Sequence, residues 1–394
     1  MPIAGEIAII GTGATRFGVH HDRGYVDLIK EAALLAVAES GLSLDDIEAA
    51  WLGTTNPEII ALQGDSGASV TEALDFRPRP VTRVSAYCAT GMETVRAAAM
   101  AVAAGEYQYA LAVGAEKMRD VSPRDSLVAR TSNLTHPTLS KGRSGPGGFA
   151  LVANRYFETY GRSTDDTAEV AVKNHENAGR NPIAQYSDPV TREQVLSAPM
   201  VAEPLRLLDC TPTTDGAAAI VVTTMDRARD LGVPFAVLDG VGLSVVDGYY
   251  EGLYHPRNDF LGFEATREAA KVAYAQAGIT DPRGQFDVVE CHDCFTITEI
   301  VNYEDLGLAD RGRGWELLRE GATWFGGDIP VNLSGGLQSC GHPIGATGAR
   351  VVKEITDQLT GRAGERQVEG ASRGLCHTLG GPGALSCVMV LSRG

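Results

Sequence analysis

Cysteine and histidine side chains occur in four short segments, each of which contains glycine or follows an apolar run. The four segments are YCATG with Cys88, VVECHDCF with His292 and Cys294, SCGHPIG with His342, and GLCHTLGG with Cys376. A thiolate can accept an acyl group and an imidazole titrates near neutral pH, so these residue types together suit acyl transfer through a covalent intermediate. The glycine residues allow backbone N–H groups to approach a substrate oxygen, which favours an oxyanion hole.

Cys88 lies where a strand pattern, VTRVSAY, gives way to a helix pattern. Apolar residues recur after it at helical spacing: Met92, Val95, Ala99 and Val102. The positive end of a helix dipole lowers the pKa of a nearby thiol and favours the nucleophilic thiolate. A buried structural cysteine is the alternative, but the tight turn of small residues before an alanine-rich helix favours a nucleophile.

Two further segments offer proton transfer and oxyanion stabilisation. His342 lies in a glycine-rich loop before a helix, where an imidazole can serve as a general base. Cys376 and His377 precede a glycine cluster whose backbone N–H groups can form an oxyanion hole. Cys291 and Cys294 form a C-x-x-C motif, but a structural zinc site needs a second pair of ligands at matching spacing, so we predict no metal.

The elements that must position these segments are repeated along the chain. The sequences EAALLAVAESG from Glu31 and EAAKVAYAQAG from Glu268 each read as a helix, a glycine and an acidic turn before a strand. CATG at Cys88 and GATG at Gly345 each precede a helix, and DGAAAIVVTT parallels PGALSCVMVLS. Three matches in the same order predict an internal duplication, with helices covering sheets in an α/β fold.

One long stretch breaks this symmetry. Residues 119–210 are rich in Ser, Thr, Pro, Gly and Arg before turning helical near ALVANRYFETYG and TAEVAVKNHENAG. An insertion of this length is usually functional, either covering a substrate or packing a dimer. We therefore predict an N-terminal half made of residues 1–118 and 211–232, an insertion over 119–210, and a C-terminal half over 233–394.

Composition excludes several classes of protein. The chain has 394 residues, 44% of them hydrophobic, and a formal net charge of −16, which argues against nucleic-acid binding. No run reaches the roughly 18 to 20 apolar residues of a membrane helix, so we expect no membrane span. MPIAGEIAII lacks the basic start of a secretion signal and the seven cysteines are odd in number, so we expect reduced thiols and a cytoplasmic protein.

GHPIGATG and HDCF, together with AVKNH and PLRLLDCTPTTDGAAA, closely resemble the thiolase superfamily, and within it the sterol-carrier-protein-type thiolases. The resemblance covers nearly the whole chain. It implies a five-layered α-β-α-β-α fold of two related halves, with an inserted loop domain that covers coenzyme A. It also implies a homodimer or homotetramer without a tightly bound cofactor, for which coenzyme A and acyl-CoA are substrates.

The resemblance also implies roles for individual residues. Cys88 matches the nucleophile that becomes acylated, His342 the base that activates it, and His292 the oxyanion-hole residue. The acid/base thiol is Cys294 or Cys376; Cys294 is favoured because Cys376 is followed by His-Thr instead of the usual small residue and glycine. The implied reaction cleaves 3-oxoacyl-CoA with CoA into acetyl-CoA or propanoyl-CoA and a shortened acyl-CoA, or runs as the reverse Claisen condensation.

Three alternatives stay open at this point. A thiolase-like aldolase or acyltransferase acting with a small OB-fold partner protein is one, although such aldolases lack the full set of thiols and histidines present here. A nonenzymatic acyl-CoA or lipid-binding protein is the second, and a ketosynthase is the third. Because coenzyme A is a polyanion and the chain is acidic, we expect basic residues of the insertion to offset the charge locally: Arg119, Arg124, Arg130, Lys141 and Arg143.

Overall fold

The computed structural model describes residues 3–61, 67–76, 78–122, 144–246 and 256–394. Its strands are β1 (Ile7–Ala14), β2 (Ala49–Gly53), β3 (Val81–Val84), β4 (Ala110–Glu116), β5 (Met200–Ala202), β6 (Leu205–Arg206), β7 (Gly216–Thr224), β8 (Ala236–Val245), β9 (Val288–Glu290), β10 (Arg373–Gly380) and β11 (Leu385–Arg393). Its α-helices are α1 (Tyr25–Glu39), α2 (Pro57–Ile60), α3 (Ala68–Leu74), α4 (Thr90–Ala103), α5 (Gly145–Tyr160), α6 (Thr164–Ala178), α7 (Arg192–Ser197), α8 (Met225–Leu231), α9 (Glu264–Ala277), α10 (Pro282–Gln285), α11 (Thr296–Asp305), α12 (Gly314–Arg319), α13 (Gly336–Cys340) and α14 (Ile344–Thr360).

The strand order shows the duplication that the sequence predicts. Nine strands form one sheet in the order β3-β2-β4-β7-β1-β8-β11-β10-β9. In the first half β2 is parallel to β3 and β4, and β7 is antiparallel to β4 and β1. The second half repeats this pattern: β9 is parallel to β10 and to a bridge at Val331, and β11 is antiparallel to β10 and β8. Antiparallel pairing of β1 with β8 joins the halves.

Alternation of side chains along the strands builds five layers. On β1, Ala8 and Ile10 pack against α1, whereas Ile7 and Ile9 pack in the cluster that contains α4 and α14. On β11, Met389 faces this same central cluster and Val388 faces α9. Successive side chains of a strand point to opposite faces, so each half-sheet is covered on both sides. The layers are therefore α1, the first half-sheet, α4 with α14, the second half-sheet and α9, as expected.

The two central helices touch through glycines near their N-terminal ends. A Cβ atom on Gly348 would lie 2.2 Å from the Met92 backbone nitrogen, and one on Gly91 would lie 2.6 Å from the Ala349 nitrogen. Any side chain at either position would push the helices apart. The repeated ATG of CATG and GATG therefore has a structural reason, and the starts of α4 and α14 lie side by side.

The inserted segment contributes α5, α6 and α7 and the two-stranded β5–β6 sheet, so both helices predicted within it are confirmed. Ser144 caps α5 by accepting a hydrogen bond from the Gly147 N–H, and Ser163 caps α6 in the same way through Asp165. Phe149 of α5 packs against Phe295, with ring centroids 4.7 Å apart, which attaches the insertion to the second half. None of the helices in the described ranges combines the length and apolarity required to cross a membrane.

Candidate active site

Cys88 lies in a tight turn two residues before α4, as the strand-to-helix pattern predicts. Tyr87 adopts a positive φ of 47°, so the chain reverses sharply at this point. The Thr90 hydroxyl accepts a hydrogen bond from the Ala86 N–H at 2.8 Å and donates one to the Tyr87 carbonyl at 2.6 Å. The side chain of Thr90 therefore fixes both ends of the turn that presents the thiol.

The structure brings three of the predicted site residues together. The Cys88 sulfur and a ring nitrogen from each of His292 and His342 all lie within 4.8 Å of one another. The two imidazole rings meet edge to face, with centroids 5.3 Å apart. A thiol between two imidazoles suits nucleophilic catalysis, because one ring can accept the thiol proton while the other binds a substrate oxygen.

The same atoms are of the kinds that bind zinc. Within the described ranges, Cys88, His292 and His342 form a group that could hold a metal ion. Cys291 and Cys294, the C-x-x-C pair, are not part of that group.

Hydrogen bonds fix the tautomer of His342. Its Nδ1 lies 2.6 Å from the Thr347 hydroxyl, which donates its own proton to the Pro343 carbonyl at 2.9 Å. The hydroxyl must therefore accept from Nδ1–H, which leaves the lone pair on Nε2. The His342 backbone N–H donates to the Thr214 hydroxyl at 3.0 Å, and Gly341 has a φ of 107°. His342 is thus oriented with Nε2 available as a base.

His292 is buried and neutral. Burial, together with the positive charge of Arg350, lowers its pKa to about 3, so its ring carries one N–H donor at neutral pH. Asn302 Nδ2 donates to the His292 backbone carbonyl at 2.7 Å, and the His292 backbone N–H donates to His377 Nδ1 at 3.3 Å. Its own Nδ1 is buried and has no hydrogen-bond partner in the described part of the chain.

Cys294 lies near this group but outside it. Its sulfur is 3.9 Å from the Thr298 hydroxyl, in an apolar cluster that includes Phe149 and Phe295. Burial first, and then repulsion from a Cys88 thiolate, raises the pKa of the Cys294 thiol well above its ordinary value. Cys294 therefore holds its proton at neutral pH and is available as an acid.

Cys376 is not brought to the site. It is fully buried in the central core cluster, with its sulfur 3.9 Å from the Val351 carbonyl of α14. Burial raises the pKa of this thiol as well. The end of β10 does come near: a Cβ on Gly380 would lie 3.2 Å from the Cβ of Tyr87, the residue before the nucleophile.

A buried polar network that the sequence did not reveal supports the second half of the site. The Glu299 carboxylate accepts from Lys173 Nζ at 2.6 Å, from Asn174 Nδ2 at 2.8 Å and from Asn332 Nδ2 at 2.6 Å. Asn332 Oδ1 in turn accepts from the Cys291 N–H at 2.9 Å. Asn332 has a φ of 58°, a conformation that asparagine tolerates. In the sequence, the segment NLSGG was the signal from which this backbone conformation could have been predicted.

Asp293 connects this network to the loop that leads to His342. One oxygen accepts from the Leu337 N–H at 2.7 Å and the other from Asn174 Nδ2 at 2.8 Å. A Cβ on Gly336 would lie 2.2 Å from Oδ2, so only glycine fits beside this carboxyl. Burial, reinforced by the charge of Glu299, raises the pKa of Asp293 to about 8.

We expect Asp293→Asn to weaken the pH dependence of stability. The pKa of Asp293 is about 8 in the folded chain and about 3.9 when unfolded. The folded state therefore binds the proton more tightly, and the free energy of unfolding falls as pH rises towards 8. Urea unfolding between about pH 6.5 and 8 should show this fall in the natural chain and a smaller one in the variant. The exposed Asp226→Asn is the control, and equal slopes in all three proteins would contradict the assignment.

Comparisons with known proteins agree with this geometry. The family model "Thiolase, N-terminal domain" matches residues 7–226, and "Thiolase C-terminal domain-like" matches residues 250–393. The chain is 39% identical to an "Acetyl-CoA acetyltransferase" of Methanothermobacter thermautotrophicus, over 98% of this chain and 100% of that one. It is 31% identical to human "Sterol carrier protein 2", over 96% of this chain and 71% of that protein.

A solved structure shows the same architecture. The "Ltp2-ChsH2(DUF35) aldolase" aligns with a TM-score of 0.85 and 27% identity, over 100% of this chain and 99% of that one. The family models together cover most of the sequence, and the relatives match it almost end to end. The chain therefore belongs to the thiolase family and is an acyltransferase of the thiolase type.

Proposed function

We propose that the chain cleaves 3-oxoacyl-CoA by thiolysis, and forms it by the reverse condensation, through an acyl group carried on Cys88. The observation that carries this proposal is that one thiol sulfur and a ring nitrogen from each of two imidazoles lie within 4.8 Å of one another. Coenzyme A and acyl-CoA enter as substrates. In this proposal one acyl transfer loads Cys88 and a second one releases the product.

The first transfer begins with the Nε2 atom of His342. This lone pair, exposed by the Thr347 contact, removes the proton of Cys88. The thiolate attacks the 3-keto carbon, the bond between C2 and C3 breaks, and acetyl-CoA leaves as its enolate. The thiol of Cys294 protonates that enolate at C2, for which its raised pKa suits it, since it still holds a proton when the enolate forms.

The second role belongs to His292. Its neutral ring donates an N–H to the thioester oxygen, where negative charge develops in the enolate. A preorganised donor of this kind lowers the barrier by about 3 to 4 kcal/mol in other enzymes. Cys294, now a thiolate, takes the proton of free CoA. The CoA thiolate attacks the acyl-Cys88 thioester, and the departing Cys88 thiolate recovers its proton from His342. In condensation the same groups act in reverse order, with Cys294 as the base.

The second candidate function is an aldolase that acts with a small OB-fold partner protein. The observation that favours it is the full-length similarity to the "Ltp2-ChsH2(DUF35) aldolase". Acyl transfer is the better proposal because a nucleophilic thiol stands at position 88 with a base beside it. We also propose a homodimer or homotetramer and a cytoplasmic location; the latter is supported by seven cysteines that are all free thiols.

Acetyl-CoA labelling tests the proposal directly. The chain is incubated with acetyl-CoA, quenched in acid, digested and analysed by mass spectrometry. We expect the acetyl group on Cys88, and none on Cys210, the other half-buried cysteine, whose pKa burial raises to about 12. Absence of label on Cys88, together with retro-aldol cleavage of a 3-hydroxyacyl-CoA, would contradict thiolysis and support the aldolase.

A further inference from the structure

A surface cavity of about 580 Å³ is lined in part by Gln185 and Tyr186, whose backbone N–H groups donate to carbonyls just before His342. It is lined by the segment after β1, by Arg119 in the segment after β4, and by the loops around residues 185 and 213. Its charged and polar side chains include Arg16, His20, Arg119, Gln185 and Tyr186. The proposed reaction uses none of these residues.

The charges around this cavity are unbalanced. No aspartate or glutamate of the described residues lines it. Two carboxylates, Asp215 and Asp120, lie in neighbouring segments, and both form ion pairs with the ammonium group of Lys117, at 2.8 and 2.5 Å. Within the described residues the guanidinium groups of Arg16 and Arg119 take part in no ion pair. Two unpaired arginines at one cavity are notable in a chain with a net charge of −16.

Arg119 also has an unsatisfied donor. Its Nε atom is buried and has no hydrogen-bond partner within the part of the chain that the structure describes. A buried N–H without a partner costs free energy, which an anion placed beside it would recover. The backbone N–H of Arg119 is held by Asp215 at 2.8 Å, so the residue has a fixed position. Guanidinium groups match the oxygens of phosphate with paired hydrogen bonds.

We propose that this cavity binds a phosphate group through Arg16 and Arg119. Of the basic residues expected to offset the charge of coenzyme A, Arg119 is the one placed here; Arg124, Arg130, Lys141 and Arg143 lie outside the described residues. The phosphate is either part of coenzyme A or a free anion. The proposal goes beyond the acyl-transfer function and does not depend on the role of Cys88.

Two hydrogen bonds connect the cavity to His342, the proposed base. Gln185, which lines the cavity, accepts from the Thr214 hydroxyl at 2.7 Å through its Oε1. The same hydroxyl accepts from the backbone N–H of His342 at 3.0 Å. An anion beside Gln185 therefore lies next to the chain of contacts that positions the base.

Isothermal titration calorimetry with inorganic phosphate, at ionic strength held constant with chloride, tests the proposal. We expect saturable binding at one site per chain, weakened about tenfold or more in Arg16→Ala and in Arg119→Ala. Arg155→Ala removes an exposed arginine that pairs with Glu158, and should bind phosphate as the natural chain does. No saturable binding, or equal affinity in all four proteins, would overturn the proposal.

Steady-state kinetics then identify the source of the phosphate. If it is the 3′-phosphate of coenzyme A, inorganic phosphate competes with CoA, and the KM for CoA is lower than that for 3′-dephospho-CoA. That difference should disappear in Arg119→Ala. If the ligand is a free anion, phosphate changes kcat without competing with CoA, and both forms of the coenzyme respond equally. Calorimetry needs no turnover, so loss of thiolysis activity would leave the binding test valid.

Discussion

Replacing Cys88 by serine is expected to lower kcat for thiolysis of acetoacetyl-CoA by about a thousandfold or more. A serine hydroxyl is a far weaker acid than a thiol, so the imidazole of His342 cannot remove its proton effectively. Serine has the shape of cysteine with a smaller terminal atom, and the turn is held by Thr90, so the backbone should be preserved. The loss would therefore report on chemistry and not on folding.

Consumption of the 3-oxoacyl-CoA, followed by its absorbance, measures this effect, and thermal unfolding checks that the variant is folded. Cys210→Ser is the matched control, because Cys210 is also a half-buried free thiol but bonds to the Arg206 carbonyl. It should keep its rate within about twofold. A Cys88→Ser enzyme with more than about a tenth of the natural activity would contradict the assigned nucleophile.

The second large effect concerns the proton donor. Cys294→Ala should lower kcat by about a hundredfold or more, whereas Cys376→Ala should leave it within about threefold. The reason is position. The Cys294 thiol lies close enough to Cys88 for a Cys88 thiolate to raise its pKa, whereas Cys376 is packed against Val351 in the core. Alanine is chosen for both because it places no hydroxyl in an apolar site.

Deuterium exchange at C2 of acetyl-CoA separates this role from that of the nucleophile. Cys294→Ala should still become acetylated at Cys88 but should exchange deuterium slowly, since the acid/base thiol alone is missing. Cys376→Ala serves as the control for loss of a buried thiol and should show lower thermal stability with normal exchange. Loss of exchange in Cys376→Ala only would reverse the assignment.

Much of the fold could be predicted from the sequence, because its signals are local. The helix at Tyr25–Glu39 and the strand at Ile7–Ala14 follow from hydrophobic periodicity, and the duplication follows from repeated segments. The grouping of Cys88 with His292 and His342 could not be predicted from local patterns, since Cys88 lies about 200 residues or more before either histidine. The family resemblance predicted that grouping, and the structure places the three together.

The remainder depends on contacts that carry no local signal. Glu299, Lys173 and Asn174 read as ordinary residues of two amphipathic helices, yet they form one buried network because α6 packs against α11. Cys376 looked available in sequence, since alternation along strand β10 does not say which of its side chains face the site. The phosphate cavity joins four distant segments and could not be foreseen from any one of them.

The match between CATG and GATG has a consequence for how many nucleophiles one chain can carry. The position equivalent to Cys88 in the second half is Gly345, where an added Cβ would lie 2.6 Å from the carbonyl oxygens of both Gly53 and Ala115. A cysteine side chain does not fit at Gly345, so the two halves differ in the space available at this position as well as in residue type. A fused pair of halves supports one catalytic centre. A second centre requires a second chain, and in the second half the first turn of α14 supplies Thr347, which orients His342.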